Sequence, residues 1–212
     1  MLITFEGIEG SGKSTQAKLL FQWLQDKKID SCLTREPGGT VIGQKIRRIL
    51  LDPDHTSICP MTELLLYMAD RAQHLHELIF PEMTSGKIIL CDRFYDATTV
   101  YQGVARQVNM ETIEQLHHIV LSGLKPDITL LFDLPVEEGL KRAWKRISAN
   151  HAEQNENRFE KESIAFHERV REGYLSLAQI NAKRFVVINA NQPESNIFKD
   201  ILNIEQIGQL QP

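Results

Sequence analysis

The stretch Gly7-Ile-Glu-Gly-Ser-Gly-Lys13-Ser14 constrains the fold of this chain more than any other. It satisfies G-x-x-x-x-G-K-[ST] at every fixed position and sits between the two elements that pattern needs. Before it, Leu2–Phe5 is a short apolar run, the kind that fills a buried parallel strand. After it, Lys13–Lys28 carries apolar residues at 17, 20, 21 and 24, which is a helical period. Glycines at 7, 10 and 12 let the backbone curl so that successive N–H groups face inward, where the helix N-terminus adds partial positive charge. The candidate phosphate cradle therefore comprises Gly7, Glu9, Gly10, Ser11, Gly12, Lys13, Ser14 and Thr15. Lys13 is placed to reach β- and γ-phosphates, and Ser14 to offer its hydroxyl to Mg²⁺. The bland alternative, a glycine-rich turn that binds nothing, is weakened by the strand before it and the helix after it.

The remaining pattern extends this unit. Ile88–Cys91 and Ile128–Phe132 repeat the apolar-run signature, with Ser31–Thr34 and Phe185–Asn189 as weaker strands. Helical periods cover Thr62–Met83, Met110–Leu121, Val136–Asn150 and Lys161–Ala182. Alternation of this sort predicts an α/β fold, a central parallel sheet flanked by helices, in one domain across 1–212. The polar, asparagine-rich stretch 148–157 breaks the period and predicts an exposed loop. A net charge of -4 gives no electrostatic case for nucleic acid or a membrane surface. Cys32, Cys59 and Cys91 lack metal or disulfide spacing and read as small buried hydrophobes in a reducing compartment. With no signal-like start and no apolar run near the roughly 18 residues of a membrane span, a cytoplasmic protein is expected.

A phosphate cradle alone does not name a reaction. The chain has neither the N-K-x-D of GTP switches nor the L-S-G-G-Q of transport ATPases; Leu121-Ser-Gly123 reads as a helix stop. Arginines instead stand where phosphates would meet. Arg35 opens Arg35-Glu-Pro-Gly-Gly-Thr40 after the second strand, and Arg47 follows a short helix on. Asp92-Arg93 lies just beyond a strand end, the ligand-binding edge of an open α/β sheet. Arg71 is in the helix after Leu64, and Arg142, Arg146 and Arg158 flank the polar loop. Such convergence suits transfer between two phosphorylated molecules, where positioning and charge neutralisation dominate. Arg48, Arg106 and Arg171 stay open between this role and plain surface, and His74 and His76, two apart on a helix, read as surface residues.

Taken in order, these motifs resemble the thymidylate kinase family along nearly the whole chain. Phe5–Thr15, Arg35–Thr40, Leu64–Arg71, Asp92-Arg93-Phe with Tyr101-Gln-Gly103, Lys125–Asp133, and Asn157-Arg-Phe-Glu160 with Phe166 and Tyr174 carry the resemblance. It implies a P-loop nucleotide-kinase fold of about five strands with a short helical lid around 142–160, a homodimer, and phosphoryl transfer from Mg·ATP to dTMP. Glu9 would meet the sugar 3′-hydroxyl, and Arg35, Arg47 and Arg93 the monophosphate. Tyr67, in place of the family's usual phenylalanine, would stack on thymine, with Arg71, Thr98 and Gln102 completing the base contacts. Asp92 would act near the acceptor phosphate and, with Ser14, at magnesium. Arg142, Arg146 and Arg158 would close over ATP, and Arg146 and Arg158 would join Lys13, Arg93 and Asp92 at the transfer step. Gly10 stands where some relatives carry a basic residue, so the lid would supply that charge. Asn157 replaces the lid's more frequent aspartate. The rivals are a P-loop kinase for another acceptor and a nucleotide-binding regulator without turnover.

Overall fold

The computed structural model describes residues 1–149 and 156–211. Strands β1 (Leu2–Glu6), β2 (Ser31–Arg35), β3 (Ile88–Asp92), β4 (Ile128–Asp133) and β5 (Phe185–Asn189) form one parallel sheet in the order β2-β3-β1-β4-β5. β1 is central, with Leu2 opposite Ile89 and Ile3 opposite Ile128. Its side chains are buried throughout, which explains why Leu2, Ile3 and Phe5 are all apolar rather than alternating with exposed polar residues. The carboxyl ends of β1, β3 and β4 carry Glu6, Asp92 and Asp133, so acidic groups gather at the edge where α/β sheets bind ligands.

Helices cover both faces. α1 (Lys13–Asp26) turns its Ala17, Leu20 and Leu24 face to the core, as the period predicts. α2 (Val41–Leu51) is capped by Thr40, whose Oγ1 accepts from Gly43 N at 2.9 Å. α3 (Pro60–His74) widens into a π turn over Leu75–Ile79 and resumes as α4 (Phe80–Thr84). Pro81, with no N–H to donate, lies just beyond that turn. A short α5 (Tyr95–Thr98) leads into a second π segment, Thr99–Ala105, absent from the sequence-based elements. α6 (Met110–Leu121) stops at Ser122 and Gly123, both left-handed, as expected. α7 (Val136–Ala149), α8 (Ile164–Ile180), α9 (Glu194–Leu202) and α10 (Glu205–Gly208) complete the chain. α8 starts later than the Lys161–Ala182 period because Ser163 caps it, accepting from Phe166 N at 3.2 Å.

Of the region 142–160, the structure describes the end of α7 and turns from 156 onward. Within the polar stretch 148–157, residues 150–155 lie outside the described residues. Its far end is not exposed: Asn157 is buried. Cys91 is buried as expected, but Cys59 is exposed at the start of α3. No helix among the described residues is long and apolar enough to cross a membrane.

The P-loop backbone packs directly on α7. Gly10 has φ +70, and a Cβ there would lie 2.0 Å from Gly139 O. A Cβ on Gly139 would lie 2.6 Å from Glu9 O. Neither position can hold a side chain without parting the loop from the helix. Gly139→Ala is therefore expected to lower stability by about 1–3 kcal/mol through overpacking, read as a lower urea midpoint. An unchanged midpoint would show that the loop and α7 separate freely.

Candidate active site

A cavity of ≈ 420 Å³ opens at the carboxyl edge of the sheet and runs from the P-loop to α3. That volume suits a small phosphorylated ligand. Its walls include Gly10, Lys13, Ser14, Thr15, Arg35, Arg47, Asp92, Arg93 and Arg146, then Tyr67, Arg71, Thr98 and Gln102. The segment from Glu156 to Glu160 closes one side.

At the phosphate end, Gly12 (φ 92) precedes α1 and provides no side-chain cap. The first N–H groups of α1 are thus aimed at whatever occupies the loop. Lys13 Nζ donates to Ile8 O at 2.6 Å and Ser11 Oγ at 3.2 Å. Burial, then repulsion from Arg93, pushes the Lys13 ammonium down to about 7, against the pull of Asp92, Glu9 and Glu6. Ser14 Oγ donates to Asp92 Oδ2. A hydroxyl and a carboxylate oxygen brought together at the loop mouth make a hard oxygen donor set of the kind that suits Mg²⁺.

Arg93 follows β3 with φ 69 and reaches back across the loop. It donates to Glu9 Oε1 at 2.9 Å and Gly7 O at 3.1 Å, with its guanidinium 4.9 Å above the Tyr101 ring. Tyr101 OH also donates to Glu9 Oε1, at 2.6 Å, and His167 Nδ1 donates to Oε2 at 3.1 Å. Burial raises the Glu9 carboxyl. The His167 hydrogen bond, Arg93 and Lys13 overcome that and hold it well below the ordinary range. Glu6, immediately before the loop, behaves oppositely. It accepts from Tyr174 OH and Phe94 N, each at 2.7 Å, yet burial, then repulsion from Asp96, lifts it to about 7.

At the opposite end of the cavity Arg71 is buried on α3. Its Nε donates to Glu36 Oε2 at 2.7 Å and its Nη2 to Thr98 Oγ1 at 3.0 Å. The other oxygen of Glu36 accepts from His74 Nδ1 at 2.9 Å, and His74 Nε2 meets Thr34 Oγ1 at 2.7 Å. This overturns the surface reading of His74, while His76 is exposed as expected. Arg71 and His74 are three apart and share a helical face, so both reach one carboxylate. Burial raises Glu36, but Arg71 and His74 together hold it below its usual value. Asp70, next to Arg71, accepts from Gly38 N at 3.0 Å and fastens the Arg35–Thr40 loop to α3. Burial raises the hydroxyl of Tyr67, and the nearby Glu63 carboxylate adds to the effect.

The predicted arginines divide. Arg35, Arg47, Arg71, Arg93 and Arg146 all line the cavity. Arg47 also donates to Glu156 at 2.9 Å and Pro37 O at 3.1 Å, and Arg146 faces Glu160 at 3.6 Å. Arg142 instead donates to Glu138 at 3.0 Å and Ala190 O at 3.1 Å. Arg158 is buried against Leu50 O and donates to Glu63 at 2.6 Å, away from the cavity lining. Glu63 also accepts from Gln102 Nε2 at 2.8 Å and contacts Arg106, so it joins α3, the π segment and the turn at 158. Arg171 pairs with Asp133, and Arg48 is exposed. Sequence reasoning gave Glu36, Glu63, His74, Tyr101 and His167 no role. His167 had a signal: it shares the inward period of α8 with Val170, Tyr174 and Ala178.

The family model described as thymidylate kinase matches residues 5–201. The thymidylate kinase of Desulfosudis oleivorans is 56% identical over 197 residues, 93% of this chain and 92% of that protein. That of Desulforapulum autotrophicum is 50% identical over 203 residues, 96% and 89% of the two chains. The crystal structure of thymidylate kinase from Ehrlichia chaffeensis is 32% identical with a TM-score of 0.76, covering 97% of this chain and 98% of that one.

Glu6 supplies a pH signature. Its carboxyl titrates at the ordinary 4.5 in the unfolded chain and about 7 in the folded one. The folded state therefore holds the proton longer, and stability falls as pH rises from 4.5 to 7, then levels. Between pH 5 and 8 the wild type should lose about 1–3 kcal/mol more than Glu6→Gln does, measured by urea unfolding at each pH. Parallel losses in the two proteins would remove Glu6 as the source.

Proposed function

The chain belongs to the thymidylate kinase family, and on that premise we propose that its cavity carries the γ-phosphate of ATP to dTMP. The observation that carries this reading is the single cavity joining the P-loop to the Tyr67–Arg71–Thr98–Gln102 wall, with Arg93 between them. One end is built for a polyphosphate, and the other offers an aromatic ring and polar donors to a base.

In the reaction, an oxygen of the dTMP phosphate forms a bond to the γ-phosphorus while the bond to the β–γ bridging oxygen breaks, giving dTDP and ADP. Lys13 holds the β- and γ-phosphates, and arriving anions restore the ammonium that burial has weakened. Arg35, Arg47 and Arg93 fix the dTMP phosphate in line and neutralise charge as it is redistributed. Tyr67 stacks on the base, and Arg71, fixed by Glu36 and Thr98, donates to a thymine carbonyl. Gln102, oriented by Glu63, adds a further polar contact at the base. Glu9 accepts from the sugar 3′-hydroxyl. Ser14 and Asp92 would hold Mg²⁺, which when bound neutralises charge on the phosphate oxygens. Arg146 is the lid cation already at the cavity; Arg142 and Arg158 reach ATP only if the region around 142–160 rearranges. Gly10 leaves no room for a basic side chain beside Gly139, which supports the lid as the source of that charge.

The chain acts in the cytoplasm as a homodimer. What supports the dimer is the set of exposed apolar side chains on α2, α3 and α6, among them Ile42, Ile49, Met61, Leu65 and Ile119. Sedimentation of a monomer at micromolar concentration would overturn it.

ADP release against a panel of nucleoside monophosphates should give the highest kcat/KM with dTMP. The value for dUMP should be lower by about 10–200-fold, the range one methyl group supports. Lys13→Ala should lower kcat by about 100-fold or more, and a loss under tenfold would refute the role of the loop. In a sample shown to be folded, Arg71→Ala should raise KM for dTMP about tenfold or more with a smaller change in kcat.

A further inference from the structure

His167 has no place in the reaction as described, yet it is fully buried. α8 turns it inward beside Val170 and Tyr174. The one hydrogen bond of its imidazole among the described residues is from Nδ1 to Glu9 Oε2, at 3.1 Å, across 158 positions of sequence. Nε2 is buried and has no hydrogen-bond partner among those residues. Leaving a ring nitrogen unpaired in an apolar site costs stability, and an aliphatic side chain would fill the same space without that cost. Stability of the core is therefore a poor account of a histidine here.

Glu9 gives the better account. Its Oε1 is already shared by Arg93 and Tyr101, at 2.9 and 2.6 Å. An ionised carboxylate has about four acceptor sites. Two of these are taken on Oε1 and one on Oε2 by His167, which leaves the remaining site on Oε2. Glu9 lines the cavity, so a hydroxyl of the bound acceptor would be accepted by the oxygen that His167 orients.

We propose that His167 is a positioning residue that fixes Glu9 Oε2 toward the sugar, and so sets the preference of the site for an acceptor bearing a 3′-hydroxyl. This rests on the reading of Glu9 as the sugar contact. Without the imidazole, the Glu9 carboxylate is free to rotate about the Arg93 and Tyr101 bonds, and Oε2 is no longer held at the hydroxyl.

The test is the ratio of kcat/KM for dTMP over 3′-deoxythymidine monophosphate, measured in wild type, His167→Leu, His167→Asn and Glu9→Gln. Loss of one hydrogen bond to a charged acceptor predicts a ratio about tenfold lower in His167→Leu, arising mainly from a higher KM for dTMP. The 3′-deoxy substrate should change by less than about threefold, since it offers no hydroxyl to misplace. His167→Asn, whose amide nitrogen stands near the position of Nδ1, should recover most of the ratio. If His167→Leu does not fold, His167→Gln takes its place, because its amide overshoots Nδ1 and should also lower the ratio. Equal losses for both substrates, with the ratio unchanged, would mean a merely structural histidine and overturn the proposal. Glu9→Gln separates the two layers. If it lowers the ratio and the His167 variants do not, only the proposal fails; if it too keeps the wild-type ratio, the sugar contact of Glu9 fails and the proposal with it.

Discussion

The ion pair between Arg93 and Glu9 holds the site together. It ties the end of β3 to the loop after β1, and Arg93 is bound at the same time to Gly7 O. Because the pair lines the cavity beside the P-loop, it fixes two things at once: where the loop sits, and where a cation stands at the cavity. Tyr101 and His167 also donate to the Glu9 carboxylate, from the π segment and α8. A buried carboxylate with fewer partners would protonate or draw in water, and the cradle would lose its shape.

The α3 end of the cavity follows the same rule with different residues. Glu36 takes Arg71 and His74, and Glu63 takes Gln102, Arg106 and Arg158. Each carboxylate is nearly inaccessible; Glu36, in the loop after β2, binds two side chains of α3, and Glu63, on α3, binds side chains from the π segment and the turn at 158. The helix carrying Tyr67 and Arg71 is thereby fastened on one side to the Arg35–Thr40 loop and on the other to the turn at 158. Glu63 thereby bridges the turn at 158 and Gln102 in the cavity wall.

Glu6 and Glu9 show how little separates a proton holder from a fixed anion. They are three residues apart, both buried, and displaced in opposite directions. Glu6 receives two neutral donors and faces Asp96; Glu9 receives Arg93 and a histidine and lies near Lys13. Neighbouring charge, rather than burial, decides between them. The outcome suits the site: negative charge is kept at the cavity and suppressed just behind it.

The sequence by itself determined the cradle, the strands and the principal helices, because these depend on short-range rules. Glycines at fixed spacing, apolar runs and helical periods are all local, and β5 and α6 have the bounds their patterns predict. The motif order also brought Tyr67, Arg71, Asp92, Arg93, Thr98 and Gln102 to one cavity. Only the tertiary structure decided the partners of buried charge. His74 looked like a surface residue until Glu36, 38 positions away, was seen to bind it. Nothing local shows that Arg158 is held by Glu63, 95 positions away. Whether a polar side chain faces water or a counter-charge depends on which distant elements pack beside it, and no local period encodes that.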